Sequence, residues 1–400
     1  MMTGEDTKPV VLRAAHMFDA VSGRLVEDAA IVVQGAQIVA AGAAGDVALP
    51  AGAEVVDLPG HTLMPGMIDT HTHLTQAGER RIFDSAPEDP ATRLLKAARN
   101  MRIDLAAGVT TVRLVGTPDF SDIAMRAAIE AQDVPGPRIV TATRAIHATN
   151  GHGYAGGFDG VEEIRKAVRT NLRQGADLIK FMATGSVDRP GGHFLPEYSP
   201  EEFAAIIDEA HRYGIKACTH CIQPPEIRLC VELGVDFIEH GHMLDDDCID
   251  LMKRHGTWLV GTLAIVLDED IFAEDLAVNP AFRDVEWLPR RRMAPESTRK
   301  AIAAGLPYAC GTDAMHGGMA YEVRAHVEIG IDSATALMAA TTNAAHACGL
   351  GHLVGTLEAG KQADILAVDG NPLARITALE RPSLIMKAGQ RYDDLIGRRP

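Results

Sequence analysis

The chain has 400 residues, 46% of them hydrophobic, with mean hydropathy near zero. That is enough apolar material for one large or two unequal globular units, and it excludes a disordered chain. A net charge of -16 excludes the basic surface that nucleic acid or an anionic membrane would demand, so a small molecule is the expected partner.

The opening nine residues carry acids where a secretion signal needs basic residues and then an apolar run. No later run is apolar over membrane length, so a cytoplasmic location is expected. Short β-type runs follow at Val10 to Ala14, Ala30 to Val33, Gln37 to Ala41 and Glu54 to Asp57, separated by Gly and Asp turns and free of helical period. After Pro65-Gly66 the texture changes to apolar strands alternating with amphipathic helices, which is the pattern of a parallel α/β fold.

Eight strands are predicted at 67–73, 109–115, 138–142, 177–183, 216–220, 236–240, 258–262 and 307–313, the number that closes a (β/α)8 TIM barrel. Between them, Ser199-Pro200-Glu201-Glu202 is a capping box opening a helix that Gly214 stops, and Val161 to Arg173 is a helix stopped by Gly175. From Thr356 the β texture returns, with Ser383 to Lys387 a further strand. The expected organisation is a barrel over 65–355 and a small discontinuous β-sandwich domain built from both ends of the chain, 1–64 and 356–400.

Polar residues gather at the carboxyl-terminal ends of these strands, where barrels of this class place their active sites. His71 and His73 lie two apart on one strand, so their imidazoles share a face and can hold one ion. Lys180 sits in the apolar run Leu178-Ile-Lys-Phe-Met182, where an unpaired ammonium is expensive. Snorkelling to the barrel mouth, or pairing with a carboxylate, is the plain account of it. Beside metal ions its amine would instead have a lowered pKa and could capture carbon dioxide, giving a carbamate that bridges two cations. His220 and His240 end two consecutive strands, and Asp313 ends the last, placed to ligate a metal and to move a proton. His242, two residues past His240, is a possible substitute or supporting partner.

Six cysteines, at 218, 221, 230, 248, 310 and 348, form no disulfide framework and fit a reducing compartment. Cys218-x-x-Cys221 has no second pair to complete a zinc site. Gly151-His-Gly-Tyr-Ala-Gly156 does not directly join a strand to a helix, which removes the dinucleotide reading.

Together, Pro65-Gly66-Met67-Ile68-Asp69-Thr70-His71-Thr72-His73, Lys180, His220, Glu239-His240-Gly241, Gly311-Thr312-Asp313 and Gly360-Lys-Gln-Ala-Asp-Ile365 resemble the amidohydrolase superfamily over nearly the whole chain. Gly108-Val-Thr-Thr-Val-Arg113, Gly151-His152-Gly153 and Ile179-Lys180 look like its imidazolonepropionase-like or Xaa-Pro dipeptidase branch, which includes prolidases and ochratoxinase-like enzymes. The resemblance implies a hydrolase of carbon-nitrogen bonds with two divalent ions, zinc above all, bridged by carboxylated Lys180. His71, His73 and Asp313 would bind the first ion, and His220 and His240 the second. Asp313 would transfer protons and His152 would polarise the carbonyl of a small amide such as an N-acyl amino acid or dipeptide. A homo-oligomer is expected.

Two positions depart from the pattern. Ile222 stands where dipeptide-cleaving members often have Tyr, and Leu114 follows Arg113 where Asp is usual. Specificity is expected from a long loop over Leu263 to Ala294 carrying Trp287 and Arg290 to Arg292; one of these arginines, or His316, would hold a substrate carboxylate. A mononuclear cyclic-amide hydrolase or deaminase, and a non-catalytic scaffold, are the alternative readings.

Overall fold

A computed structural model describes residues 8–75, 89–153, 156–185, 191–278 and 280–397. Residues 1–7, read above for a signal, and Tyr154-Ala155 of the glycine-rich motif lie outside the described residues. Four strands come first: β1 (Val10–Asp19), β2 (Arg24–Gln34), β3 (Gln37–Ala43) and β4 (Glu54–Pro65).

Two parallel sheets then follow. One contains β5 (Met67–Thr72), β6 (Val109–Leu114) and β7 (Arg138–Thr141). The other contains β8 (Leu178–Met182), β9 (Lys216–Cys221), β10 (Phe237–His240), β11 (Trp258–Gly261) and β12 (Tyr308–Cys310). Every residue of β5, β6, β8, β10 and β12 is buried, as in a parallel sheet covered on both faces, so none shows the in-and-out alternation of a half-exposed strand. Backbone bonds join the sheets at both margins. Beyond β7, Ile146 accepts from Met182 N–H and donates to Lys180 O, at 3.0 and 2.9 Å; at the other margin Asp313 N–H donates to His71 O at 2.8 Å.

The tail adds β13 (Ile365–Asp369), β14 (Pro382–Lys387) and β15 (Gln390–Arg391) to the first four strands. All seven form one sheet in the order β15-β14-β13-β4-β1-β2-β3, with β13 antiparallel to β4 and Leu366 opposite Met64. Leu12, Ile31, Leu63, Ile365 and Leu384 are buried together on it.

The marked helices form as their caps dictate. Ser199 accepts from Glu202 N–H while the Glu202 carboxylate accepts from Ser199 N–H, and the helix runs Pro200–Arg212. The helix Val161–Gln174 ends on Gly175 at φ 100°, a left-handed turn that suits a residue without a Cβ. The expected loop over Leu263 to Ala294 is instead largely helical: Leu263–Leu267, Glu269–Val278 and Leu288–Ala303. Its first helix is too short and too uniformly apolar to show a period. Asp268 starts the next by accepting from Ile271 N–H, and Pro289 lies in the first turn of the third. Among the described residues no helix is long and apolar enough to cross a membrane.

Candidate metal centre

Each strand delivers its polar residue at the same end of the parallel sheets. His71 lies on β5 with His73 just beyond it, Lys180 on β8, His220 on β9, His240 at the end of β10 and Asp313 beyond β12. His240 and Asp313 hold left-handed backbones, φ 71° and 53°, a strain of roughly 1–3 kcal/mol each for residues with a Cβ. Strain of this kind concentrates where the direction of a side chain matters more than local stability.

The geometry gathers these residues. The ring centroids of His71 and His240 are 4.6 Å apart, those of His220 and His240 4.5 Å, and those of His71 and His73 5.6 Å. Asp313 Oδ1 lies 3.5 Å from His71 Nε2 and 3.4 Å from His73 Nε2. His71, His240 and Asp313 can each direct one ligand atom within 4.8 Å of the others.

Two of the histidines have their tautomers set from outside. His71 Nδ1 is 2.7 Å from Glu239 Oε2 and His73 Nδ1 3.0 Å from Gly116 O, while His240 Nδ1 is 2.8 Å from the Thr262 hydroxyl, which can serve in either sense. Donation of the His71 and His73 Nδ1–H outward leaves Nε2 as a lone pair for a cation, the arrangement of metal-ligating histidines. His220 Nε2 is buried and has no hydrogen-bond partner, a loss that a bound cation would make good. The donor set therefore fits a divalent metal.

The charges agree with this. Burial holds His220 and His240 well below the ordinary histidine range, and burial lowers His73 against the pull of Asp313, so these rings are neutral and able to ligate. Burial and Lys180 also press His71 down, but its hydrogen bonds to Asp313 and Glu239 prevail and raise it. Asp313 is held well below the carboxylate range, its burial outweighed by His71 and His73. Lys180 is 1% exposed; burial lowers its ammonium, opposed by the charges of Glu239 and Asp313.

Several supporting residues were not singled out by pattern. Glu239 accepts from Arg113 at 2.7 Å as well as facing His71, and burial against this pair leaves its carboxyl down at about 2. Asp69 accepts from the backbone of His71 and Thr312 and from the Thr312 hydroxyl, tying β5 to the turn that carries Asp313. Both acids stand within the motifs quoted above, beside candidate ligand histidines, which is the one signal the sequence offers for them. His193 and Glu286 were not marked at all. The His193 ring is 4.9 Å from that of His152, and its Nδ1 is 3.1 Å from Glu286 Oε2.

The remaining candidates divide. His152 lies beside the centre, its ring 4.6 Å from that of His220 and kept neutral by burial and by His193. Arg290 is buried, donates to His242 Nδ1 at 3.3 Å and lies over Trp287 at 5.2 Å. Arg291 is engaged with Val266 O, Asp268 O and Glu269, and Arg292 is exposed. His316 Nδ1 faces Asp104 Oδ2 at 2.8 Å. His242 packs at 5.4 Å from His240 and contacts Thr262 and Arg290, a supporting position. Ile222 is buried and brings no polar atom. All six cysteines are free thiols, and burial raises Cys218 to about 12 and Cys221 well above its ordinary value, the reverse of a reactive thiolate.

Comparison with known proteins gives the same direction. The chain is 30% identical over 363 residues to an ochratoxinase from Aspergillus niger, covering 81% of this chain and 73% of that protein. Its fold matches the crystal structure of a Xaa-Pro dipeptidase with bound methionine in the active site, at TM-score 0.86 and 28% identity over 96% of this chain and 100% of the other. It also matches a prolidase complexed with n-methylphosphonate-l-proline, at TM-score 0.87 and 29% identity over 96% and 99% of the two chains. Residues 62–391 match the model of the amidohydrolase family, and the chain belongs to that family, as a hydrolase acting on carbon-nitrogen bonds.

Proposed function

We propose that the protein is a two-metal amide hydrolase whose substrate is a small N-acyl amino acid or dipeptide. The observation that carries this reading is Lys180, buried among His71, His220, His240 and Asp313, where burial lowers its ammonium against the charges of Glu239 and Asp313. Carboxylated, it would bridge two ions, zinc by preference, held by His71, His73 and Asp313 and by His220 and His240. Such ions supply a hydroxide at neutral pH and a Lewis acid for the carbonyl.

The chain's own residues do the rest. Asp313 takes the proton of the attacking water and returns it to the departing amine, because an amide anion is too poor a leaving group to depart unaided. His152, neutral and close to His220, donates to the carbonyl oxygen as charge develops on it. Arg290 binds the substrate carboxylate, a role its buried place over Trp287 favours above Arg291, Arg292 or His316. The amino-acid-like ligands of the dipeptidase and prolidase structures support this substrate class. For the architecture we propose one eight-stranded barrel over 65–355, supported by the backbone bonds at both sheet margins, with 1–64 and 356–400 as a β-sandwich domain.

A panel of N-acyl amino acids and dipeptides, assayed with zinc and bicarbonate, tests the substrate class. Lys180→Ala is expected to abolish turnover and to lower bound metal from two ions per chain; retention of both would sink the bridging role. One observation favours a second reading. His71, His240 and Asp313 alone suffice for a single ion, as in a mononuclear cyclic-amide hydrolase or deaminase. One tightly bound ion beside an unmodified Lys180 would establish that alternative.

A further inference from the structure

The segment that carries His152 is held by a carboxylate from another strand's loop. Glu197 Oε2 accepts from Ala148 N–H at 3.0 Å and its Oε1 accepts from His152 N–H at 2.5 Å, two bonds to one short stretch of backbone from a side chain whose carboxyl burial raises to about 8. Glu197 is itself tied to the end of β8: its N–H donates to Ala183 O at 3.0 Å, and Gly185 N–H donates to Leu195 O at 2.9 Å. The next residue adds to the hold, Tyr198 donating its hydroxyl to Phe158 O at 2.9 Å.

The glycines make room for this carboxylate. A Cβ on Gly151 would lie 2.0 Å from Glu197 Oε2, and one on Gly185 would lie 2.3 Å from the His152 Cβ. Both glycines therefore let backbone close around Glu197 and His152, which gives the Gly151-His152-Gly153 sequence a physical purpose other than phosphate binding. From this hold the His152 ring reaches to 4.6 Å from His220.

We propose that Glu197 is a positioning residue for the amide-cleaving step, fixing His152 over the metal centre by binding its backbone and tying it to the strand that bears Lys180. The proposal rests on the reading of His152 as the carbonyl-polarising group. Glu197 touches neither metal nor substrate in this scheme; its effect on rate is transmitted through His152. A misplacement of about 1 Å at a reacting group costs up to roughly 100-fold in rate.

The test is a mutant cycle on the zinc-loaded protein, using the N-acyl amino acid or dipeptide it hydrolyses fastest. Glu197→Gln keeps the volume but can accept only one of the two N–H groups, and is expected to lower kcat by roughly 10- to 100-fold, with KM and zinc content within about twofold of the unaltered protein. Combined with His152→Ala it should add nothing to the loss that His152→Ala causes alone, since both remove the same interaction. Gly151→Ala, which thrusts a methyl against the carboxylate from the other side, should reproduce the kcat loss and keeps the proposal testable if Glu197→Gln folds poorly. Multiplying losses in the double variant, zinc lost from Glu197→Gln, or full kcat in both Glu197→Gln and Gly151→Ala would overturn the positioning role while leaving the His152 reading intact. Full kcat in His152→Ala would overturn that reading and the positioning role with it.

Discussion

Glu239 is the residue on which the most buried charge converges. It faces His71 Nδ1 with one oxygen and takes a hydrogen bond from Arg113 with the other, and neither the Arg113 nor the Glu239 side chain is exposed. Arg113 also donates to Thr70 O and lies over the Phe237 ring, so its guanidinium cannot retreat to water. Removal of one partner from such a pair leaves an uncompensated charge and costs about 3–5 kcal/mol, whereas replacement of both by apolar groups of similar size is often neutral. Glu239→Gln is therefore expected to lower stability by about 3–5 kcal/mol and, by loosening the His71 tautomer, to weaken zinc about 10- to 100-fold. Arg113→Met added to it should restore most of the stability and none of the zinc affinity; urea unfolding and zinc competition with a chelator measure the two separately. Recovery of both together would mean that Glu239 acts on the fold alone. The candidate ligand histidines and Asp313 stood out in the sequence because each lies at the end of a predicted strand. Their supports were not legible as supports: Glu239 pairs with residues 126 and 168 positions away, and Glu197 with His152 45 positions away, separations that no local pattern encodes.

At the scale of elements, the helix Met319–Glu328 reaches across to start the helix Leu263–Leu267. Glu322 accepts from Leu263 N–H at 2.9 Å and from Ala264 N–H at 2.6 Å, filling a helix start that has no side-chain cap of its own. Burial nevertheless raises its carboxyl from 4.5 to about 8, the two N–H groups offsetting only part of that and the charges of Asp69 and Asp313 adding to it. Between these values the folded protein holds a proton that the unfolded chain has released, so stability falls as pH rises from about 4.5 to about 8 and levels beyond. Glu322→Gln removes the titrating proton, though its amide can accept only one of the two N–H groups, so the variant starts lower and does not follow this pH window. Unfolding midpoints measured at several pH values should show the variant gaining on the unaltered protein across that window; parallel curves would refute the assignment. The same region shows where the sequence was opaque. The eight strands were readable because each is a short β-type run set between amphipathic helices, and the helices at 161–174 and 200–212 because their stops or caps are local. Leu263 to Ala294 reads as a loop because its first helix is apolar on every side and is started by Glu322, 58 and 59 positions away.

For the whole molecule, what matters is how the sheet built from both chain ends is fastened to the strands that carry the candidate metal centre. Arg138, at the start of β7, donates to Asp364 Oδ2 at 2.8 Å and also to Gln362. Asp364 in turn accepts from Ala388 N–H at 2.7 Å, while its carbonyl accepts from Gly66 N–H at 2.9 Å. The tail motif Gly360-Lys-Gln-Ala-Asp-Ile365 is thereby explained: Gln362 and Asp364 are the two side chains that grip β7, and Ile365 begins the strand that pairs with β4. Asp364 is 3% exposed, so its loss leaves the part-buried Ala388 N–H without this acceptor and the largely buried Arg138 guanidinium without its counter-charge. Asp364→Ala is expected to cost about 2–4 kcal/mol, a sum of the desolvated donor and the broken ion pair. Because the candidate metal centre lies at the opposite ends of the strands from Arg138, kcat measured below the unfolding transition should change less than about twofold. Hydrogen exchange should quicken in β13 and β14 ahead of β8 to β12, the order expected if the end sheet loosens as its own cooperative unit. Equal quickening throughout would mean that the sheet and the metal-bearing strands unfold as one body, and that the chain ends are part of the core that holds the site.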